Sequence, residues 1–83
     1  MRAGYKEELT VTRGTQRKYK FPNGFGASVV MGPYSYGGTS GLWELAVLDA
    51  NGDLTYDTPV TEGVLGYLSE SEVDIALDQI EAL

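Results

Sequence analysis

The sequence predicts a single α+β domain: an antiparallel β-meander of about five strands with a C-terminal amphipathic helix packed on one face. Apolar and polar residues alternate with period two in several short segments before residue 60, as in half-buried strands. Turn motifs that contain glycine separate these segments. After residue 68 the apolar spacing changes to that of a helix, and the length of 83 residues fits one domain.

The first three strands are predicted before residue 32, with turns at Gly14-Thr15 and at Pro22-Asn23-Gly24. These strands cover residues 7–13, 17–21 and 25–31. Their inward faces carry the apolar members of each alternation: Leu9, Val11, Tyr19, Phe21, Phe25, Ala27, Val29 and Met31. On the outward face of the second strand, Lys18 and Lys20 must face water or an anionic group.

A β-hairpin is predicted around Asn51-Gly52, the pair of residues most typical of a two-residue type I′ turn. The hairpin joins a fourth strand, residues 42–48, to a fifth strand that Pro59 ends. If Ala50 and Asp53 flank the turn, five apolar side chains share the core face: Trp43, Leu45, Val47, Leu54 and Tyr56.

The end of the chain is predicted to be helical. Thr61 can cap a short helical turn that Gly66 interrupts, and Ser69 to Glu72 form a capping box for the main helix. One apolar stripe runs along this helix: Val73, Ala76, Leu77, Ile80 and Leu83. The opposite stripe, named here the acidic helix face, consists of Asp74, Asp78 and Glu81.

The composition argues against catalysis. There is no histidine and no cysteine, so the usual proton shuttle, the strongest nucleophile and thiolate metal sites are all missing. The predicted hairpin brings Glu44 and Asp57 near each other on its outward face, where two solvated charges explain them better than acid–base catalysis does. We therefore expect a protein that is not an enzyme and that uses no cofactor and no metal.

The glycine-rich loop, residues 32–41, is the first candidate binding site. It carries four glycines and two tyrosines, Tyr34 and Tyr36, but not the Gly-Lys-Ser/Thr ending of a phosphate-binding loop. Tyrosine in such a loop offers a large contact area at low entropic cost, which favours recognition. In the alternative interpretation, one ring folds back onto the core and the other is merely exposed.

Charge is divided unevenly along the chain, whose net charge is −6. All six Lys and Arg residues fall within positions 1–20, while positions 21–83 carry ten carboxylates. These carboxylates would repel a phosphate backbone, so we do not expect direct nucleic-acid binding. The acidic helix face is the second candidate site, either as a nucleic-acid mimic that fills a basic groove of another protein or as a solvated surface. Neither a membrane span nor a secretory signal is predicted.

Four segments together carry a resemblance to known proteins. They are Phe21–Val30, Ser35–Gly38, Gly41–Leu48 and Tyr56–Pro59. In residue types and their order, residues 17–83 resemble a group of short proteins encoded by bacteriophages and prophages. The resemblance implies a cytoplasmic setting in a bacterial host and an accessory phage role, and it transfers no activity and no site residues.

The leading functional hypothesis is a small non-enzymatic protein that binds a host or phage protein. Its contact surface would be the glycine-rich loop or the acidic helix face, and one version is inhibition of a host defence complex through the acidic surface. The alternative is a structural or assembly protein that forms homodimers or larger homo-oligomers through an exposed sheet edge.

Overall fold

A computed structural model describes residues 7–11, 14–61 and 63–83, with only the main chain described for 7–11. Its elements are β1 (Glu7–Val11), β2 (Gly14–Lys20), β3 (Gly26–Met31), a short 3₁₀ helix (Gly38–Ser40), β4 (Trp43–Leu48), β5 (Val64–Leu68) and α1 (Glu70–Glu81). The five strands form one antiparallel sheet in the order β1-β2-β3-β4-β5, with α1 packed on one face. The predicted α+β meander is confirmed.

The core lies between α1 and the sheet, as the apolar alternation indicates. The buried cluster contains Tyr19, Phe21, Ala27, Val29, Trp43, Leu45, Val47, Val73, Ala76, Leu77 and Ile80. Phe25 and Met31 pack against it. Leu83 is an exception to the predicted stripe, because the helix ends before it and its side chain is 36% exposed. The predicted turn at Gly14-Thr15 is also wrong, since both residues pair within β2.

The two-residue type I′ turn predicted at Asn51-Gly52 is wrong, because the loop contains three residues. The Asp49 N–H donates to the Asp53 carbonyl (2.8 Å), the Gly52 N–H donates to the Asp49 carbonyl (3.0 Å), and only Gly52 has a positive φ, 82°. This is a type I turn followed by a glycine bulge. The carboxylate of Asp49 favours it by accepting hydrogen bonds from the N–H groups of Asn51 and Asp53.

The extra loop residue shifts the register by one position, which moves the following side chains to the other face of the sheet. Leu48 therefore pairs with Leu54, and Leu54 and Tyr56 are 49% and 53% exposed instead of buried in the core. The pairing of this segment with β4 extends only to Thr55, whose N–H donates to the carbonyl of Val47 (2.9 Å). The predicted fifth strand is thus reduced to a single bridge.

The observed fifth strand, β5, lies where a short helical turn was predicted. The chain returns to the same edge of β4 at Val64, which pairs with Ala46. The hydroxyl of Thr61 does accept a hydrogen bond, from the N–H of Gly63 (3.0 Å), but the turn that it closes leads into a strand. The open edge of β4 offers hydrogen-bond partners to the main chain along a whole strand. An isolated helical turn would satisfy few of its own N–H and C=O groups.

Helix α1 begins and ends at side-chain caps. The predicted capping box is confirmed: the Ser69 hydroxyl accepts from the N–H of Glu72, and the Glu72 carboxylate accepts from the N–H of Ser69. At the other end, the amide of Asn23, in the β2–β3 turn, donates to the carbonyls of Ile80, Glu81 and Leu83. None of the helices in the described part of the chain has the length and hydrophobicity of a membrane span.

Candidate functional site

Three exposed tyrosines lie in or against the glycine-rich loop. Tyr34 and Tyr36 of the loop are 86% and 61% exposed, and Tyr67 of β5 is 63% exposed. The alternative in which one loop ring packs onto the core does not hold. We call Tyr34, Tyr36 and Tyr67 the tyrosine surface.

The glycine-rich loop is an ordered structure. The side chain of Ser35 donates to the carbonyl of Gly32 and accepts from its N–H, each at 2.9 Å, which closes the first turn. The 3₁₀ helix follows, flanked by Gly37 and Gly41 at φ values of 90° and 74°. Only glycine adopts such left-handed angles without a steric cost, so the glycines permit a defined path and do not by themselves indicate mobility.

The loop packs directly on β5. The N–H of Tyr67 donates to the carbonyl of Tyr36 (3.2 Å). A Cβ added at Gly66 would lie 2.6 Å from the Cβ of Tyr36, and one added at Gly37 would lie 2.8 Å from the Cα of Tyr67. The two backbones can approach this closely only because each contributes a glycine at the contact.

A β-bulge places Tyr67 at this contact. Trp43 pairs with Leu68 and Leu45 with Leu65, so Gly66 and Tyr67 together lie opposite the single residue Glu44. Tyr67 has a φ of 56°, and it is the one non-glycine residue with a positive φ among the residues described. A left-handed conformation costs a side-chain-bearing residue about 1–2 kcal/mol, which the surrounding contacts must offset.

The side chain of Glu44 stabilises the glycine-rich loop. Its carboxylate accepts a hydrogen bond of 2.7 Å from the N–H of Tyr36. The shifted hairpin register does not bring Asp57 beside Glu44, because pairing along β4 ends at Thr55. The carboxylate pair considered from the sequence is therefore not formed, and the geometry assigns Glu44 to the support of the tyrosine surface.

Sequence reasoning missed Tyr67, because it predicts a short helical turn through Val64 and Leu65 that Gly66 interrupts, and no strand in this part of the chain. Two signals could have located it. Val64 and Tyr67 are residue types enriched in strands, and Gly66 within such a run is typical of a bulge or a close backbone contact.

The acidic helix face is separate from the tyrosine surface. Asp78 and Glu81 are exposed and Asp74 is half-buried, opposite the stripe that packs on the sheet. Tyr67 precedes the first turn of α1, whereas Asp78 and Glu81 occupy its last turns, and a helix of 12 residues is about 18 Å long. The structure does not bring the two predicted binding sites together.

Depressions beside the sheet are also lined by residues that the structure describes. A cleft of about 610 Å³ lies between the glycine-rich loop and the side chains of Arg17 and Trp43. In this cleft, the guanidinium of Arg17 lies 5.7 Å from the centre of the Trp43 ring. A groove of about 350 Å³ lies between Lys18, Lys20 and the 49–52 turn. Among the residues described, no group of three or more carboxylates is placed to hold a metal ion.

Comparison with known proteins adds no assignment to this site. No protein-family model, no curated protein and no solved structure matches the chain.

Proposed function

We propose that this chain is a non-enzymatic protein-binding domain and that its tyrosine surface contacts the partner. The observation that carries the proposal is the exposure of three large rings on backbone that is fixed by hydrogen bonds and close glycine contacts. Exposed tyrosines on an ordered support lose little conformational entropy on binding, which is why recognition surfaces use them.

The conformation of Tyr67 supports the same proposal. A strained residue with a mostly exposed ring contributes little to the core, and left-handed residues other than glycine are concentrated at functional sites. The partner is a bacterial host protein or a phage protein, in line with the resemblance to phage-encoded proteins. Inhibition of a host defence complex, with the acidic helix face as a second contact, is the more specific version.

Site-specific photo-crosslinking tests the proposal. A photoreactive benzoylphenylalanine replaces Tyr34, and the protein is irradiated in a bacterial lysate. The matched control carries the same group at Tyr56, which is exposed but lies outside the tyrosine surface. We expect a discrete crosslinked species from position 34 and none from position 56. Equal crosslinking from both positions, or none from either, would contradict binding at the loop.

A second candidate function, self-assembly, is favoured by the position of β1. This strand is at the edge of the sheet, and β2 is the only described strand that pairs with it. Such an edge can pair with another copy, whereas the bulge in β5 interrupts the opposite edge. Light scattering at rising concentration tests this function: a constant monomer mass excludes it, and a dimer favours it.

A further inference from the structure

The chain contains two asparagines, and each of them precedes a glycine, in Asn23-Gly24 and Asn51-Gly52. Asparagine is a chemically labile residue, because its side-chain amide can be attacked by the main-chain nitrogen of the next residue. Glycine favours this attack, since it has no side chain in the way and the widest range of main-chain conformations. The two dipeptides are therefore candidate sites of spontaneous deamidation.

Both dipeptides occupy three-residue hairpin loops of the same main-chain geometry, residues 21–25 and 49–53. In each loop, the first residue donates its N–H to the carbonyl of the fifth, at 2.8 Å in both. The glycine N–H donates to the carbonyl of the first residue, at 3.0 Å in both. Gly24 and Gly52 have positive φ values of 92° and 82°, and both asparagines are exposed. Main-chain geometry and exposure thus do not distinguish the two sites.

The two asparagine side chains differ in their hydrogen bonds. The side-chain oxygen of Asn23 accepts from the N–H of Phe25 (3.0 Å). Its nitrogen donates to three carbonyls at the end of α1, those of Ile80, Glu81 and Leu83. Among the residues described, none forms a hydrogen bond with the side chain of Asn51. A Cβ built on Gly52 would have no atom within 4 Å, so this loop has open space around it.

We propose that Asn51 is a site of spontaneous deamidation and isoaspartate formation, and that the fold suppresses the same reaction at Asn23. The main-chain nitrogen of Gly52 loses its proton to solvent base and attacks Cγ of Asn51, which closes a succinimide ring. The bond between Cγ and Nδ2 breaks, and ammonia leaves. Water then opens the ring at either of its two carbonyls, so the product is aspartate or isoaspartate. The reaction consumes only water and needs no oxidant or reductant.

The reaction at either site begins with local opening of the turn, because the glycine N–H must first leave the carbonyl to which it donates. This requirement is common to both loops. At Asn23, opening must also break the hydrogen bonds between the amide and the end of α1. We therefore expect Asn51 to react at least about tenfold faster than Asn23 in the folded protein.

Deamidation changes the charge of one groove on the molecule. Asn51 lines the groove that also contains Lys18 and Lys20, and the product replaces a neutral amide there with a carboxylate. Isoaspartate in addition lengthens the main chain by one atom within the loop that joins Asp49 to Asp53. The proposal does not depend on the protein-binding function, because the tyrosine surface lies in other segments of the chain.

Ageing of the intact protein in heavy-oxygen water tests the proposal. The folded protein is held in mildly alkaline buffer, and each deamidation then incorporates a heavy oxygen atom from the water. Cleavage after glutamate places the two asparagines on separate peptides, residues 9–44 and 45–62, whose masses report each site. A methyltransferase specific for isoaspartate identifies the isomer. We expect label and isoaspartate to accumulate on peptide 45–62 at least about tenfold faster than on peptide 9–44.

Two controls separate the effect of the fold from that of the local sequence. In urea the chain is unfolded, and the two sites should then react at similar rates, because neither asparagine keeps a protecting hydrogen bond. Asn51→Gln lengthens the side chain, which makes ring closure much slower. This variant should lose the label on peptide 45–62 and keep the slow labelling of peptide 9–44 unchanged.

Three outcomes would overturn the proposal. The first is an equal rate at both sites of the folded protein, or a faster reaction at Asn23. The second is reaction of Asn51 only in urea, since the hydrogen bonds of the turn would then protect it in the folded protein. The third is a difference between the sites that persists unchanged in urea, since the neighbouring residues would then set the rates and the bonds of Asn23 to α1 would not.

Discussion

The carboxylate of Glu44 accepts a 2.7 Å hydrogen bond from the main-chain N–H of Tyr36 and so links strand β4 to the glycine-rich loop. Glu44 also lies opposite the bulge that contains Tyr67. Glu44 thus contacts the loop through its side chain, and its main chain faces the segment that carries Tyr67.

Removing this carboxylate should loosen the loop more than the rest of the sheet. For Glu44→Ala we expect a loss of about 1 kcal/mol in the free energy of unfolding, the usual contribution of one hydrogen bond, and faster hydrogen exchange at the Tyr36 amide. Glu44→Gln keeps an acceptor oxygen at the same position and should retain most of the protection. Unchanged exchange at Tyr36 in Glu44→Ala would argue against the link.

The glycines at the loop–bulge contact should be less replaceable than a glycine with a similar φ elsewhere in the loop. Gly37→Ala adds a Cβ 2.8 Å from the Cα of Tyr67 at a φ of 90°, whereas Gly41→Ala adds one at a φ of 74° with no atom within 4 Å. We expect Gly41→Ala to cost about 1 kcal/mol through its backbone conformation alone. Gly37→Ala should cost a further 1–3 kcal/mol or so from overpacking.

Urea denaturation of both variants measures the two costs. The difference between Gly37→Ala and Gly41→Ala isolates the close approach, because both positions require a left-handed conformation. Equal losses would mean that the loop can move away from β5 without cost.

Asn23 should stabilise the end of α1 from a distant turn. Its amide reaches three carbonyls at the helix C-terminus, at 2.8, 3.1 and 3.2 Å. The last carbonyls of a helix lack the regular i+4 main-chain partner, so we expect Asn23→Ala to lower the free energy of unfolding by about 1–2 kcal/mol. Asn51→Ala is the matched control, since Asn51 is exposed and also precedes a glycine in a hairpin loop, the three-residue loop between Asp49 and Asp53. A similar loss in both variants would assign the effect to the turns themselves.

The capping box should make stability depend on pH through Glu72. Hydrogen bonds from the main chain and then the side chain of Ser69 hold the pKa of the Glu72 carboxyl below its ordinary value of 4.5. A lowered folded-state pKa means that the stabilisation is complete above 4.5 and disappears as the pH falls through the folded-state value.

Glu72→Gln removes the titration but keeps an acceptor for the N–H of Ser69. We therefore expect the stability advantage of the wild-type protein over Glu72→Gln to shrink as the pH is lowered from about 7 to about 3. Urea denaturation across this range measures the advantage. A constant difference between the two proteins would rule out Glu72 as the titrating group.

The sequence predicted the parts of the fold in which local signals agree. Alternation placed Tyr19, Val29 and Leu45 in the core, and the capping box located the start of α1, because these patterns depend on burial and on contacts three residues apart. The predicted position of the fifth strand was wrong because the hairpin loop contains one residue more than predicted. Asn-Gly fits both a two-residue and a three-residue hairpin loop, and the Asp49 carboxylate, which accepts from the N–H groups of Asn51 and Asp53, favours the longer one.

The candidate site was predicted in part for the same reason. Tyr34 and Tyr36 stand out because a loop rich in glycine has no reason to contain exposed aromatics. Tyr67 reaches them through a non-local contact, between residue 36 of the loop and residue 67 of a strand that forms only after the hairpin register has shifted. No local pattern encodes that contact, so the surface as a unit required the structure.

Tyr67 should show a conflict between stability and binding. Tyr67→Gly removes the steric cost of the left-handed conformation, about 1–2 kcal/mol, and adds a smaller entropic cost in the unfolded chain, so the free energy of unfolding should rise by up to about 1 kcal/mol. Tyr34→Gly is the control: its φ is not positive, and we expect a loss of about 0.5–1 kcal/mol. With benzoylphenylalanine at position 36, both variants should crosslink less than the protein that keeps Tyr34 and Tyr67, because each removes one ring of the tyrosine surface. A Tyr67→Gly protein that is markedly less stable than the wild type would mean that the ring packs as a structural element, whereas a stabilised protein with weakened binding would mean that the strain is kept for recognition.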